Sequence, residues 1–110
     1  SLKKNKIVSN KKNSWSICDA LFAPQPGEIT FPINQLNLSG GLSISDSAVK
    51  KSIILIAENL KVVSEPGGAV ATSALFSNHL KLKNKNVVVI ISGGNIDYSF
   101  FSDIVNEKNE

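Results

Sequence analysis

The sequence predicts an α/β fold in which helices pack on an incomplete parallel sheet, and three segments carry that prediction. Residues 87–91 form an uninterrupted run of Val and Ile, which is typical of a strand buried on both faces of a parallel sheet. Apolar residues recur at helical spacing through 46–60, and Pro66 stands where a second helix can begin. The 110 residues suffice for one small domain with a thin margin of buried surface.

The N-terminal part of the chain gives weaker signals. Residues 1–13 are polar and predict a linker or a surface strand. Pro32 excludes a regular helix centre within 29–36, although it could open a helix. Three other segments lack regular periodicity: an apolar run of undecided structure at 14–22, a Pro- and Gly-containing break at 23–28, and a turn into a short strand at 38–44.

Two helices are predicted in the middle of the chain. The first covers 46–60, because Ser45 is a favourable N-cap and Asp46 lies at the positive end of the helix dipole. Its apolar face is formed by Val49, Ile53, Ile56, Ala57 and Leu60. The second helix begins at Pro66, ends near His79 and Leu80, and is lined with small residues that permit close approach of another backbone or of a ligand.

The C-terminal part predicts a strand followed by a helix. A polar turn at 83–86 precedes the strand at 87–91. A closing helix is expected over 97–105, and 107–110 form a polar tail. The apolar residues available for the buried side of that helix are Phe100, Phe101, Ile104 and Val105.

Composition argues against several classes of protein. The chain has twelve Lys, no Arg and a net charge of +3, and no aromatic residues interleave with the Lys, so nucleic-acid binding is disfavoured. One Cys excludes a disulfide framework and a four-ligand zinc site within the chain, and no metal site is predicted. No run approaches the roughly 18 apolar residues that cross a membrane, so no membrane association is expected.

The beginning of the chain bears on compartment and completeness. The first twelve residues are polar and contain five Lys, which does not resemble a signal peptide. With one Cys, this favours a cytoplasmic location. The chain contains no Met and starts with Ser, which suggests a piece of a longer protein.

A ligand site is expected where the predicted strand ends. In open α/β sheets, ligands bind beyond the carboxyl ends of strands, and here Ser92, Gly93 and Gly94 follow the strand directly. The Ser92 hydroxyl could hydrogen-bond a ring nitrogen without adding charge. A purely structural strand-to-helix turn explains the same residues. The E-P-G-G-A segment at 65–69 is likewise compatible with either a site element or a helix start.

Four segments, in order, resemble the threonine/serine dehydratases, which are pyridoxal-phosphate enzymes of the tryptophan-synthase-β-like fold (fold type II), with serine racemase as a relative. They are S-I-C-D-A-L at 16–21, P-G-E-I-T-F-P-I at 26–33, E-P-G-G-A-V-A at 65–71 and V-V-V-I-I-S-G-G-N-I-D at 87–97. The resemblance covers nearly the whole chain and implies that it corresponds to the C-terminal part of that fold, with 14–106 belonging to the catalytic domain.

The resemblance also implies roles for individual residues. Ser92 would hydrogen-bond the pyridine nitrogen of pyridoxal 5'-phosphate, Glu65 would lie near the cofactor ring, and Ala20 would pack near it. Gly93 and Gly94 would shape the turn. The family's lysine that carries the cofactor and its glycine-rich phosphate loop have no counterpart among these residues. We therefore expect a fragment that is inactive alone and requires the rest of the catalytic domain upstream.

The resemblance leaves several functions open. The parent is expected to convert L-threonine or L-serine to a 2-oxo acid and ammonia, and to form a homo-oligomer as family members commonly do. Within the family, a serine racemase or a hydroxyectoine-utilisation dehydratase is an alternative. Outside it, a non-enzymatic α/β binding module is the alternative. A regulatory domain of the kind appended to some threonine dehydratases fits poorly, because such domains follow the S-G-G-N segment and the chain ends soon after it.

Overall fold

The computed structural model describes residues 1–10, 15–77 and 80–107, and within these ranges all regular structure is helical. Four α-helices follow in order: α1 (Thr30–Asn37), α2 (Asp46–Leu60), α3 (Pro66–Leu75) and α4 (Tyr98–Asn106). Short 3₁₀ turns occur at Leu2–Lys4 and Asp19–Leu21. The remaining described segments are turns, bends and irregular structure.

Helix α2 has the bounds that its sequence predicts. The Ser45 hydroxyl accepts a hydrogen bond from the N–H of Ala48 at 3.3 Å, which satisfies one of the free amides of the first turn. The helix ends where Lys61 adopts a left-handed conformation with φ 58°. Local capping and apolar periodicity therefore suffice to place this element.

The other helices agree with the sequence-based expectations only in part. Helix α3 begins at Pro66 as predicted but ends at Leu75, earlier than the expected end near His79 and Leu80, of which His79 lies outside the described residues. Helix α4 is shifted by one residue from the expected 97–105. In helix α1, Pro32 is accommodated because it lies in the first turn, where its missing N–H has no intrahelical partner.

Helix α2 forms the centre of the molecule and packs against α3 and α4. Its buried side chains Val49, Ile53 and Ile56 meet Ala69 of α3 and Ile104 of α4. The hydroxyl of Ser73 in α3 donates to the carbonyl of Ala48 at 3.3 Å and ties the two helices together. Lys50 of α2 forms an ion pair with Glu107, next to the end of α4.

The predicted parallel sheet is not found among the described residues. Residues 87–91 form no regular secondary structure and have no ladder partner, and Val88 and Ile90 are 92% and 73% exposed instead of buried on both faces. A strand needs a neighbour to satisfy its backbone and cover its faces, and the described part of the chain supplies none for that run. The short strands considered around Ile7 and within 38–44 are likewise not formed.

The molecule is also less compact than its length allows. Its radius of gyration is 15.3 Å, against about 13 Å for a compact domain of similar length. None of the helices in the described ranges has the length and apolar character needed to span a bilayer. Residues 11–13 of the predicted linker and 108–110 of the predicted tail lie outside the described residues.

Candidate functional site

Two segments without regular secondary structure, 62–65 and 91–94, lie side by side next to the start of α3. The N–H of Glu65 donates to the carbonyl of Gly93 at 3.0 Å. A Cβ placed on Gly94 would stand 2.8 Å from the carbonyl oxygen of Val63. The turn after the Val/Ile run is therefore held against the segment that leads into α3, and it is this contact that creates the candidate site.

Gly68, in the first turn of α3, allows that helix to approach the turn closely. A Cβ on Gly68 would lie 2.8 Å from the carbonyl oxygen of Gly93 and 3.0 Å from the hydroxyl of Ser64. No glycine in the described part of the chain has a positive φ. The glycines at this site thus provide space for close backbone packing, and the turn does not require a left-handed residue.

The carboxylate of Glu65 reaches across to the same turn. Its Oε2 accepts a hydrogen bond from the N–H of Asn95 at 3.0 Å. A Cβ on Gly93 would meet its Cδ at 2.6 Å, so the carboxylate lies directly against the Gly93 backbone. Glu65 consequently holds both ends of the Gly93–Asn95 turn, through its own N–H at one end and its carboxylate at the other.

Ser92 immediately precedes this turn and has a different environment. Its side chain is exposed, and its hydroxyl makes no hydrogen bond with the residues that the structure describes. A hydroxyl can both donate and accept. Ser92 is therefore an uncommitted polar group beside a turn whose backbone is fixed by Glu65 and Gly68.

Ala20 approaches the site from a separate part of the chain. It lies in the 3₁₀ turn Asp19–Leu21, which packs against α3. The position that a Cβ on Gly67 would take is 3.5 Å from the Cβ of Ala20 and 3.6 Å from Oε1 of Glu65. Ala20 and the Glu65 carboxylate therefore flank the same glycine at the beginning of the helix.

Cys18, next to this turn, is a core residue. Its side chain is buried in the cluster formed around α2. Burial raises the pKa of the Cys18 thiol, an effect that Asp46 and Asp19 reinforce and that a hydrogen bond with Ser16 opposes. A protonated, buried thiol is neither a nucleophile nor a metal ligand at neutral pH, and the described residues contain no cluster of three metal-ligating side chains.

The structure thus brings Ala20, Glu65, Gly93 and Gly94 together, with Ser92 adjoining them. Sequence reasoning did not identify the part played by Gly68 or by the backbone N–H of Asn95. The small residues lining α3 signalled a close approach, but not which element would approach. A backbone amide carries no sequence signal, so its bond to Glu65 could be found only in three dimensions.

Comparisons with known proteins give a consistent set of relatives, although no family model matches the chain. The chain is 32% identical over 92 residues to an L-threonine ammonia-lyase of Thermotoga maritima, covering 84% of this chain and 23% of that protein. It is 37% identical over 82 residues to a serine racemase of Dictyostelium discoideum, covering 73% and 25%. A catabolic L-threonine dehydratase of Escherichia coli is 32% identical over 99 residues, covering 88% and 30%.

Solved structures agree with the sequence matches. A threonine deaminase from the organism abbreviated T.th. superposes with a TM-score of 0.83 at 28% identity, over 89% of this chain and 33% of that one. The Dictyostelium discoideum serine racemase superposes with a TM-score of 0.76 at 34% identity, over 88% and 31%. The chain therefore spans between about a quarter and a third of the length of these relatives.

Proposed function

This chain is a homologue of the threonine dehydratases and serine racemases, and we propose that it forms the C-terminal part of a pyridoxal-phosphate-dependent ammonia-lyase. In that role it would supply the contact to the pyridine nitrogen of the cofactor. The observation that carries the proposal is the uncommitted Ser92 hydroxyl beside the turn fixed by Glu65. The relatives' names support the class of reaction.

The donor set fits the cofactor proposed for it. A pyridine nitrogen is a single-atom hydrogen-bonding group, and the hydroxyl of Ser92 can meet it without bringing a charge. In the nearby carboxylate of Glu65, Oε2 accepts a hydrogen bond from the N–H of Asn95, whereas the Ser92 hydroxyl makes none with the described residues. We therefore assign the ring nitrogen to the neutral Ser92 hydroxyl and assign to Glu65 the role of holding the adjoining turn in place.

When bound, the cofactor supplies the electron sink for loss of the α-proton and the β-hydroxyl of a hydroxy amino acid. The chain's own residues orient it. The Ser92 hydroxyl would hold the ring nitrogen in its neutral form, which moderates that sink and favours elimination over transamination. Gly93 leaves space for the Glu65 carboxylate, and Gly68 lets the turn pack closely on α3. Because Ser92 directly precedes Gly93, this packing would set its position.

We propose that residues 87–91 and 62–65 are completed as sheet strands by the rest of a longer protein. Three features support this: the high exposure of Val88 and Ile90, the hydrogen bond from Glu65 to Gly93, and the extended dimensions of the chain. The lysine that carries the cofactor and the phosphate-binding loop would come from that upstream part. Accordingly, the fragment alone should be inactive.

The proposed substrate is L-threonine or L-serine, giving a 2-oxo acid and ammonia. The test is an assay of the full-length protein with pyridoxal phosphate, measuring 2-oxobutanoate from L-threonine and D-serine from L-serine. Formation of 2-oxobutanoate as the main product supports the proposal. Neither product, together with no uptake of cofactor, would overturn it.

A serine racemase is the second candidate. The observation in its favour is the identity of 37% to the Dictyostelium discoideum enzyme, which exceeds the 32% to the threonine ammonia-lyase. In the same assay it would give D-serine in excess of 2-oxobutanoate. A homo-oligomer in the cytoplasm is proposed for either enzyme, and light scattering of the full-length protein measures the first of these properties.

A further inference from the structure

Asp46, in the first turn of α2, uses its carboxylate outside its own helix. Oδ1 accepts a hydrogen bond from the hydroxyl of Ser16 at 2.5 Å, and Oδ2 accepts one from the N–H of Ile17 at 3.2 Å. Both partners lie about thirty positions away in sequence. One half-buried side chain therefore fixes the backbone and the side chain of a distant segment at once.

Asp46 lies at the positive end of the α2 dipole, but it neither caps the helix nor pairs with Lys50. Ser45 already caps the helix by accepting from the N–H of Ala48. Lys50, one turn further on, pairs with Glu107 instead of with Asp46. Among the described residues, the partners of the Asp46 carboxylate are thus those of the segment beginning at Ser16.

The bonds continue along that segment toward the candidate site. The hydroxyl of Ser16 also accepts from the N–H of Cys18 at 3.1 Å, and the Cys18 side chain is buried in the core. The N–H of Leu21 then donates to the carbonyl of Cys18 and closes the 3₁₀ turn. These hydrogen bonds restrain the backbone from Ser16 to Leu21.

The 3₁₀ turn places Ala20 next to Glu65 at the start of α3. Ala20 lies within 3.5 Å of the point that a Cβ on Gly67 would occupy, and Oε1 of Glu65 lies 3.6 Å from the same point. A displacement of the segment that begins at Ser16 would therefore move Ala20 relative to Glu65. The geometry connects Asp46 to the site without any direct contact between them.

We propose that Asp46 is a positioning residue, which through Ser16 and Ile17 holds Ala20 against the start of α3 and so sets the shape of the cofactor site. This inference rests on the proposed function, because it takes the region around Glu65 and Ser92 to be the cofactor site. Its physical basis is a pair of hydrogen bonds to a charged acceptor, which are among the stronger ones in proteins.

The test compares Asp46→Asn and Ser16→Ala with the matched control Ser45→Ala, all in the full-length protein. Ser45→Ala weakens the same helix end by removing its cap but leaves the bonds to Ser16 intact. The measurements are the thermal midpoint, the dissociation constant of pyridoxal phosphate, and the amide exchange rate of Ile17 in the cofactor-free protein. A Ser16→Thr variant keeps the hydroxyl and serves as the rescue.

The proposal predicts that Asp46→Asn and Ser16→Ala weaken cofactor binding by about tenfold and speed exchange at Ile17. Ser45→Ala should lower the thermal midpoint at least as much without either effect, and Ser16→Thr should bind as the parent does. If cofactor affinity falls with the thermal midpoint across all variants, Asp46 is merely structural and the inference fails. A parent protein that takes up no cofactor instead overturns the proposed function, and the inference with it.

Discussion

The carboxylate of Glu65 lies against the backbone of Gly93, where a Cβ would stand only 2.6 Å from Glu65 Cδ. The same carboxylate accepts the hydrogen bond from the N–H of Asn95. These two contacts depend on each other, because the carboxylate can reach Asn95 only across a residue without a side chain. The turn that precedes α4 is thereby joined to the residue that precedes α3.

Replacing Gly93 by Ala should weaken cofactor binding while leaving the stability of the fold almost unchanged. The obstructing atoms belong to the end of a flexible side chain, so Glu65 can swing aside at small cost, but its bond to Asn95 is then lost. We expect the thermal midpoint of the full-length protein to change little and its affinity for pyridoxal phosphate to fall several-fold, as measured by fluorescence titration. Gly40→Ala is the control, since a Cβ there meets nothing within 4 Å. Unchanged affinity in Gly93→Ala would contradict this account.

Replacing Gly68 by Ala, in contrast, should lower the stability of the fold. In a helix, Ala is favoured over Gly by about 1 kcal/mol. Here the new methyl group would stand 2.8 Å from the carbonyl oxygen and 2.9 Å from the nitrogen of Gly93, and backbone atoms cannot move aside as a side chain can. Overpacking of this kind costs about 1–3 kcal/mol, so we expect a net loss in urea unfolding. A gain in stability would show that α3 and the turn are not in close contact.

The thiol of Cys18 should make stability depend on pH in the alkaline range. Burial raises its pKa above the ordinary value of 9.0. Below that pH both the folded and unfolded chains keep the proton; above it the unfolded chain loses its proton first, so the free energy of unfolding falls as pH rises toward the folded pKa. Urea unfolding of the parent and of Cys18→Ala, measured from about pH 8 upward, isolates this part of the slope. Equal slopes would mean that the thiol titrates normally.

A substitution at the exposed Val88 tests whether strands of the full-length protein cover residues 87–91. If upstream strands cover residues 87–91 in the full-length protein, Val88→Asp places a charge on a buried face and should prevent folding or greatly reduce soluble yield. Leu36→Asp is the comparison, because Leu36 is 88% exposed and belongs to α1, for which no strand partner is proposed. Similar yields and thermal midpoints for the two variants would show that the 87–91 segment remains exposed in the whole protein.

Helices were predictable from the sequence to the extent that their determinants are local. Helix α2 carries its own cap at Ser45 and its own apolar period, and its bounds agree with the expectation. Pro66 likewise marks the start of α3. The 87–91 run has strong strand propensity, but a strand is defined by its partners, and the described residues contain no partner for it. Propensity alone therefore could not determine its structure.

The candidate site was only partly predictable for the same reason. Ser92 and Glu65 could be named because they stand in short motifs that resemble a known family. The hydrogen bond from Asn95 to Glu65 joins residues thirty positions apart, and its donor is a backbone amide that any residue except proline would possess. The bonds from Ser16 and Ile17 to Asp46 have a similar separation and were not anticipated. Such contacts follow from packing, which short motifs do not specify.

The most direct test of the account is the distance from the Ser92 hydroxyl oxygen to the ring nitrogen of pyridoxal phosphate in a crystal structure of the full-length protein with its cofactor. The account predicts a hydrogen bond of about 2.7–3.0 Å, with the Glu65 carboxylate still on the N–H of Asn95. A Ser92 hydroxyl pointing away from the ring, or a different residue on that nitrogen, would contradict it.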